Sequence, residues 1–189
     1  MFDEHLARWR RSSAETAAPL VALVATLILA VFLSWAGKEL RNDDAPRGGL
    51  SLQFAWHDDC AKPHCASKIV GSWHARKGAA TVQVLADFPF IVAYAYLLFA
   101  FANAAARDAG NRNRPPLARF AEYAALAGLL AGAFDVVENF GLLTMLWLTP
   151  QQPLPLLTSL AASAKFALIG IALLASFVIL LWPVRRSTR

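Results

Sequence analysis

The sequence predicts an all-α protein: an integral membrane antiparallel four-helix transmembrane bundle with a partly helical periplasmic cap between the first two spans. Hydrophobic residues make up 57% of the 189-residue chain and charged residues only 16%, whereas a soluble domain carries about 25% charged residues. The basic residues form clusters that flank long apolar runs. A nucleic-acid-binding protein would instead carry them along one folded face, so we expect no nucleic-acid partner. Both observations predict a single membrane domain over residues 1–189.

Four apolar runs are each long enough to cross the hydrocarbon core of a bilayer, which takes ~17–20 helical residues. The first run is long, lacks a convincing signal-peptide cleavage site and precedes three further runs, so we expect a retained anchor. The predicted spans are Pro19 to about Ala36, about Leu85 to Ala106, about Ala121 to Leu148, and Leu154 to Trp182.

Arginines predict the orientation of these spans. The N-terminus, the loop Arg107–Arg119 and the C-terminal tail are basic and lie on one side of a four-span protein. The positive-inside rule assigns that side to the cytoplasm. We therefore expect both termini in the cytoplasm, and residues 37–84 and 149–153 outside it.

The segment of residues 37–84 is too long for a plain connection between two spans. Turn-forming residues fill positions 42–49, and residues 67–74 can form a short amphipathic helix. We expect this segment to fold as a small cap over the outer end of the bundle. The alternative is a mobile loop that lies on the membrane surface.

Cys60 and Cys65 are the only cysteines, and both lie in this outer segment. An oxidising compartment favours a disulfide between them. Free thiols and a metal site are the alternatives, since His57, His64 and His74 are close in sequence. The cysteine and histidine spacing matches no structural zinc pattern, so we expect no metal.

The third span contains Asp135, Glu138 and Asn139, whose offsets of three and four residues place them on one helical face. A charged side chain near the bilayer centre costs at least ~2.5–3.5 kcal/mol, so such residues usually face a protein interior. The same face carries Gly128 and Gly132, a spacing that lets a neighbouring helix approach closely. This pattern predicts that the polar face lies against other helices.

Lys165 on the fourth span is the predicted partner of Glu138. At a rise of ~1.5 Å per residue, Glu138 lies ~15 Å below the outer end of its helix and Lys165 ~16 Å below the same end. The short connection between the two spans makes them antiparallel neighbours. We therefore expect an ion pair between Glu138 and Lys165, with Asp135 about a turn deeper as a second partner.

The second span adds Asp87, followed by Pro89, and Tyr94 two turns deeper on the same face. If the acidic residues of the spans share one interior with Lys165, acids outnumber bases. At least one acid then holds a proton or binds a cation.

These groups allow several functions. The leading hypothesis is a cavity that binds or transports a proton, a cation or an amphipathic, lipid-like ligand, because intramembrane ionisable residues generally mark function. A buried network that only fixes helix register is the structural alternative. Two rival functions remain. The first is a subunit whose G-x-x-x-G face docks a partner helix. The second is an enzyme that acts on a lipid, with Asp135 or Glu138 as general base. The candidate ligand-binding residues are Asp87, Tyr94, Asp135, Glu138, Asn139 and Lys165.

Other chemistries are disfavoured. All histidines lie outside the spans, which argues against a haem held by two of them. The sequence contains no G-x-S-x-G, H-E-x-x-H or glycine-rich phosphate loop. We expect no cofactor, and partners limited to the lipid bilayer, a lipid or small-ion ligand, and a second copy or a larger membrane complex.

The motifs Trp73, Asp87-Phe88-Pro89-Phe90, Gly132 to Asn139 and Lys165-Phe166 together resemble a set of small bacterial four-span membrane proteins. Those proteins carry a W…D-F-x-F…G-x-x-D-x-x-E-N…K-F pattern, and the likeness covers roughly the last two-thirds of the chain. The resemblance implies a bacterial inner-membrane location and no particular activity.

Overall fold

The computed structural model describes residues 2–57, 61 and 65–181, and the side chains of residues 17–57, 61, 65–179 and 181. These ranges are predominantly helical and contain no strand. Four helices are long and apolar enough to cross a membrane, which confirms the predicted all-α architecture with four long apolar helices. The α-helices are α1 Phe2–Ala36, α2 Gly49–Gln53, α3 Ala66–Ser72, α4 Lys77–Asn111, α5 Pro115–Trp147 and α6 Leu154–Leu181.

The second long helix begins earlier than predicted. It starts at Lys77, directly after a 3₁₀ turn at His74–Arg76, and not near Leu85. Thr81 and Gln83 lower the hydropathy of its first turns, but neither interrupts a helix. The Thr81 hydroxyl donates to the Lys77 carbonyl at 2.9 Å and so stays within the helix.

The predicted basic loop between the second and third spans is mostly helical. Only residues 112–114 separate α4 from α5. Asn113 has a φ of 53°, a left-handed conformation that asparagine tolerates better than most residues. Pro115 opens α5, where a helix lacks a hydrogen-bond acceptor for the first N–H groups anyway. The predicted end of the fourth span at Trp182 lies outside the described residues.

The long helices pack in a fixed arrangement: α5 lies against both α4 and α6, and α1 packs mainly on α4. The close approach of α5 to α4 depends on glycine. A Cβ at Gly128 would lie 2.8 Å from the Leu98 Cβ, and a Cβ at Gly132 would lie 3.0 Å from the Ala95 Cβ. At the α5–α6 interface, a Cβ at Gly141 would collide with the Thr158 hydroxyl. Small residues therefore set the helix spacing on both sides of α5.

The described residues between α1 and α4 pack on one end of the bundle, and we call residues 37–76 the cap. Trp73 is buried and donates from its indole N–H to the Leu40 carbonyl at 2.8 Å. Ile69 of the cap and Met145 of α5 belong to the same hydrophobic cluster. The cap is thus held to the bundle by a shared core, not only by its chain connections.

Lys68 and Asp44 form an exposed ion pair on the cap, with the amine 2.8 Å from the carboxylate. The hydrogen bond and charge of Asp44 raise the pKa of the Lys68 amine above its ordinary value.

Cys65 precedes α3 and takes part in a disulfide. Cys60, the only other cysteine of the chain, lies outside the described residues, as does His64. The predicted Cys60–Cys65 pairing therefore stays a prediction, although the state of Cys65 agrees with it. Among the described residues no group of three or more histidine, cysteine or acidic side chains could hold a metal ion.

Candidate functional site

Three helices bring the predicted polar residues together inside the bundle. Asp87 and Tyr94 come from α4, and Lys165 comes from α6. The remaining members come from one face of α5, because offsets of three and four residues return a helix to nearly the same direction. They are Asp135, Glu138 and Asn139, and all three are buried.

Lys165 is the centre of an ion-pair network. Its Nζ lies 2.8 Å from Asp135 Oδ1 and 2.7 Å from Glu138 Oε2. The lysine is only 4% exposed, Asp135 2% and Glu138 0%. The predicted ion pair with Glu138 and the second contact with Asp135 are therefore both present, and the depth matching from the two helix ends is confirmed.

Two hydrogen bonds extend this network to α4. The Tyr94 hydroxyl donates to Asp135 Oδ2 at 2.8 Å, so both carboxylate oxygens of Asp135 are engaged. Asn139 donates from Nδ2 to Asp87 Oδ2 at 2.9 Å. Each helix that contributes to the network is therefore tied to a neighbour by a polar contact.

Acidic groups outnumber basic ones in this interior. Asp135 and Glu138 share the one amine of Lys165, and Asp87 has only an amide donor. Within the described residues Glu138 Oε1 has no hydrogen-bond partner, and Oε2 contacts Lys165 as an ion pair outside hydrogen-bonding angles. Since uncompensated buried charge is costly, we expect at least one of these acids to be neutralised by a proton or by a bound cationic or donor group.

A cavity of about 550 Å³ borders the network. Along α4 its lining extends from Gln83 to Leu98, a helical distance of ~22 Å at ~1.5 Å per residue. Most of the lining is apolar and comes from α1, α4 and α6. The predicted site residues that line it are Asp87, Tyr94, Asp135, Asn139 and Lys165.

Glu138 does not line the cavity, contrary to the expectation that all the intramembrane charges would do so. Consecutive residues of a helix differ in direction by about 100°. Asp135 and Asn139, four residues apart, face the cavity, while Glu138 is rotated away from them and is fully buried. Lys165 therefore joins a cavity acid, Asp135, to an acid of the helix interface.

The cap end of the cavity contains polar residues that the sequence analysis did not select. Arg41 and Arg47 of the cap line it, together with Gln53 of α2 and Gln83 of α4. The Gln83 amide donates to the Leu33 carbonyl of α1 at 3.3 Å. Gln53 Oε1 is buried and has no hydrogen-bond partner among the described residues. The available sequence signal was basic residues in a segment predicted to lie outside, where the positive-inside rule disfavours them, and this signal does not distinguish Arg41 and Arg47 from the other basic residues of the segment.

The G-x-x-x-G face is occupied within the chain. Gly128 and Gly132 are buried, and the nearest side chains to their missing Cβ atoms are Leu98 and Ala95 of α4. These glycines pack helices as predicted, but the face they form is covered by α4 and does not present a free groove for the helix of another protein.

Comparison of the chain with protein-family models, with curated proteins and with solved structures gives no match. The resemblance to small bacterial four-span proteins thus stays a prediction. What the site does must be argued from its own residues.

Proposed function

We propose that this chain is a multi-pass protein of a bacterial inner membrane that binds an amphipathic, lipid-like ligand in the cavity between α1, α4 and α6. In this proposal both termini are cytoplasmic and the cap is periplasmic, as the distribution of arginines favours. The observation that carries the proposal is the combination of one long apolar cavity with the intramembrane polar residues Asp87, Tyr94, Asp135, Asn139 and Lys165 in its wall.

The size and lining of the cavity favour a hydrocarbon ligand over a bare ion. A volume of about 550 Å³ is within the ~300–1,000 Å³ typical of small-molecule sites, which are mostly apolar with a few placed polar groups. A metal ion would need a compact set of oxygen, nitrogen or sulfur ligands. One lipid leaflet takes up half of the ~30 Å hydrocarbon core. The lining extends ~22 Å along α4 and is therefore longer than one leaflet is deep.

The polar residues in the wall argue against a network that serves only helix register. A structural network satisfies its members among themselves. Here Asp87 receives one amide hydrogen bond from Asn139 and forms no ion pair with any described residue, although both residues border the cavity. A proton held by Asp87, or a hydroxyl of the ligand, would satisfy this carboxylate beside the ligand chain.

The helix arrangement favours access from the bilayer. α1 packs mainly on α4, and α6 packs on α5 and α4, so α1 and α6 form opposite walls without an extensive interface between them. Thr26 of α1 and Phe166 of α6 both line the cavity, and at ~1.5 Å per residue they lie at similar depths below the cap end. A membrane-dissolved ligand can therefore reach the cavity between these two helices without crossing water.

Photolabelling tests this proposal. The full-length protein in lipid nanodiscs is exposed to a fatty acid that carries a diazirine on its chain, and the adducts are mapped by peptide mass spectrometry. We expect adducts on the cavity-lining residues Leu97 and Ile169, and competition by excess unlabelled fatty acid.

Two neighbouring leucines of α6 offer a matched pair of variants. Leu173→Trp places a larger side chain in the cavity and should abolish cavity labelling. Leu174→Trp makes the same change at a position that is 67% exposed and does not line the cavity, so labelling should persist. Adducts spread over lipid-facing positions such as Val92, or equal labelling of both variants, would show that the probe reports only the surrounding bilayer.

A further inference from the structure

The cap end of the cavity has positive charges that no ion pair compensates among the described residues, whereas the amine of Lys165 in the deeper part is paired with Asp135 and Glu138. Arg41 and Arg47 line this end, and both are exposed. No carboxylate among the described residues forms an ion pair with either guanidinium. Lys68, by contrast, forms an ion pair with Asp44. The two arginines are thus positive groups beside an apolar cavity without a partner in the described part of the chain.

The turn that follows Arg47 brings the backbone of this segment next to the Arg41 side chain. Gly48 follows Arg47 and adopts a φ of 59°, which a residue with a side chain rarely adopts. A Cβ at Gly48 would lie 3.6 Å from the Arg41 Cγ. This turn therefore places the Arg41 side chain beside the residue next to Arg47, and both face one opening.

A further polar group at this end lacks a partner. Gln53 lines the cavity, and its Oε1 is buried without a hydrogen bond among the described residues. A buried acceptor without a donor costs free energy, so a ligand group that supplies an O–H or N–H here would be favoured. The cap end thus offers positive charge and an open acceptor, whereas the middle of the cavity offers excess carboxylate.

We infer that Arg41 and Arg47 bind the oxyanion of a membrane-borne amphiphile, a carboxylate or phosphate attached to one hydrocarbon chain, with that chain extending down α4 past Asp87. Guanidinium groups suit this role because they hold carboxylate and phosphate with paired hydrogen bonds. The orientation follows from charge complementarity, since an anionic head placed among Asp87 and Asp135 would be repelled. This inference rests on the proposed function, because it names the ligand class of the same cavity.

Two diazirine probes test the inference. One is a fatty acid and the other is the fatty alcohol with the same chain. Both are used at mildly alkaline pH in nanodiscs of neutral lipid. The variant is Arg41→Gln with Arg47→Gln. Its control is Lys38→Gln, which removes an exposed positive charge near the same end without touching the cavity lining.

We expect the half-maximal labelling concentration of the fatty acid to rise about ten-fold or more in the double variant, equivalent to ~1.4 kcal/mol of lost binding free energy. Labelling by the alcohol should change less than about two-fold, and Lys38→Gln should leave both probes unchanged. Acid labelling of the wild type should also weaken with added salt, because exposed charges are screened. Acetate and inorganic phosphate at matched ionic strength should compete no better than chloride, since neither carries the chain.

The outcomes distinguish a failure of this inference from a failure of the proposed function. If both probes label the cavity and neither responds to the arginine change, the ligand binds but its head group is not held by these arginines. If neither probe labels the cavity of the wild type, and Leu173→Trp changes nothing, the cavity is not a lipid site and both proposals fail. Strong competition by inorganic phosphate would reassign the arginines to a soluble anion.

Discussion

Replacing Lys165 by methionine removes the amine that pairs with Asp135 and Glu138 in the buried polar network while keeping a similar side-chain volume. The lysine Nζ lies within 2.8 Å of Asp135 and within 2.7 Å of Glu138. All three residues are at most 4% exposed, so water solvates the stranded carboxyl groups poorly. Breaking a buried ion pair by removing one partner typically costs ~3–5 kcal/mol, and here the loss strands two carboxyl groups. We expect Lys165→Met to lower the free energy of unfolding by at least ~3 kcal/mol.

Glu138→Gln is expected to be much milder. It leaves one carboxylate, Asp135, for one lysine, and the amide oxygen of the new side chain can still accept from Lys165. The expected cost is ~1 kcal/mol, the size of an ordinary hydrogen-bond change. The double variant should be more stable than Lys165→Met alone, because one of the two stranded carboxyl groups has been removed. A coupling of ~1–3 kcal/mol is expected for residues in direct contact.

Equilibrium unfolding in mixed micelles, followed by tryptophan fluorescence, measures these differences. Lys68→Met is the control, because it removes a lysine from the exposed ion pair with Asp44 and should leave the midpoint unchanged. If Lys165→Met unfolds at the wild-type midpoint, the buried ion pair does not contribute to the free energy of unfolding, contrary to what its geometry indicates. If the Lys165 and Glu138 effects simply add, the two residues are not coupled.

Three further predictions concern packing, covalent structure and orientation. Gly128→Ala should destabilise the bundle by ~1–3 kcal/mol through overpacking, since its Cβ would lie 2.8 Å from the Leu98 Cβ. Gly170→Ala is the control, because a Cβ there meets nothing within 4 Å and should not destabilise the bundle. Equal unfolding midpoints for the two variants would contradict the close α4–α5 contact. Intact mass under non-reducing conditions should be lower by two hydrogens than after reduction if Cys60 and Cys65 form a disulfide, and two alkylated thiols without reductant would rule the bond out. In a Cys60→Ala, Cys65→Ala variant that carries Lys68→Cys at an exposed position of the cap, a membrane-impermeant maleimide should label the new thiol from the periplasmic side of the cell; labelling only after the cytoplasmic side is opened would invert the proposed orientation.

The sequence predicted the long helices well because a bilayer-crossing segment needs a long apolar run, which hydropathy detects directly. The predicted positions of the helix ends were less accurate, since hydropathy reports how apolar a segment is and not whether it is helical. Gln83 illustrates the difference: it is polar enough to end a predicted span, yet it lies inside α4 and donates to the Leu33 carbonyl of α1. That contact depends on how two helices pack, which no local pattern records.

The site was predictable to the extent that helix geometry fixes it. Offsets of three and four residues placed Asp135 and Asn139 on one face, and counting from a shared short turn placed Lys165 at the right depth. Helix periodicity could not predict Arg41 or Arg47, because the cap has short helical turns and no repeating pattern. Their position beside the cavity depends on the turn at Gly48.

The position of Lys165 bears on whether the intramembrane charges are structural or functional. Its amine contacts Glu138, which is fully buried and does not line the cavity, and Asp135, which lines the cavity and also accepts from Tyr94. A ligand group that competes for Asp135 therefore acts on the same lysine that ties α6 to α5. Stability and binding are coupled through this one amine, so loss of stability in Lys165 variants does not by itself argue against a binding role. Asp87 has no such double contact, because it accepts a hydrogen bond from Asn139 and forms no ion pair among the described residues. Of the acids in the cavity wall, Asp87 is thus the one whose charge is least needed for helix packing and most available to a ligand.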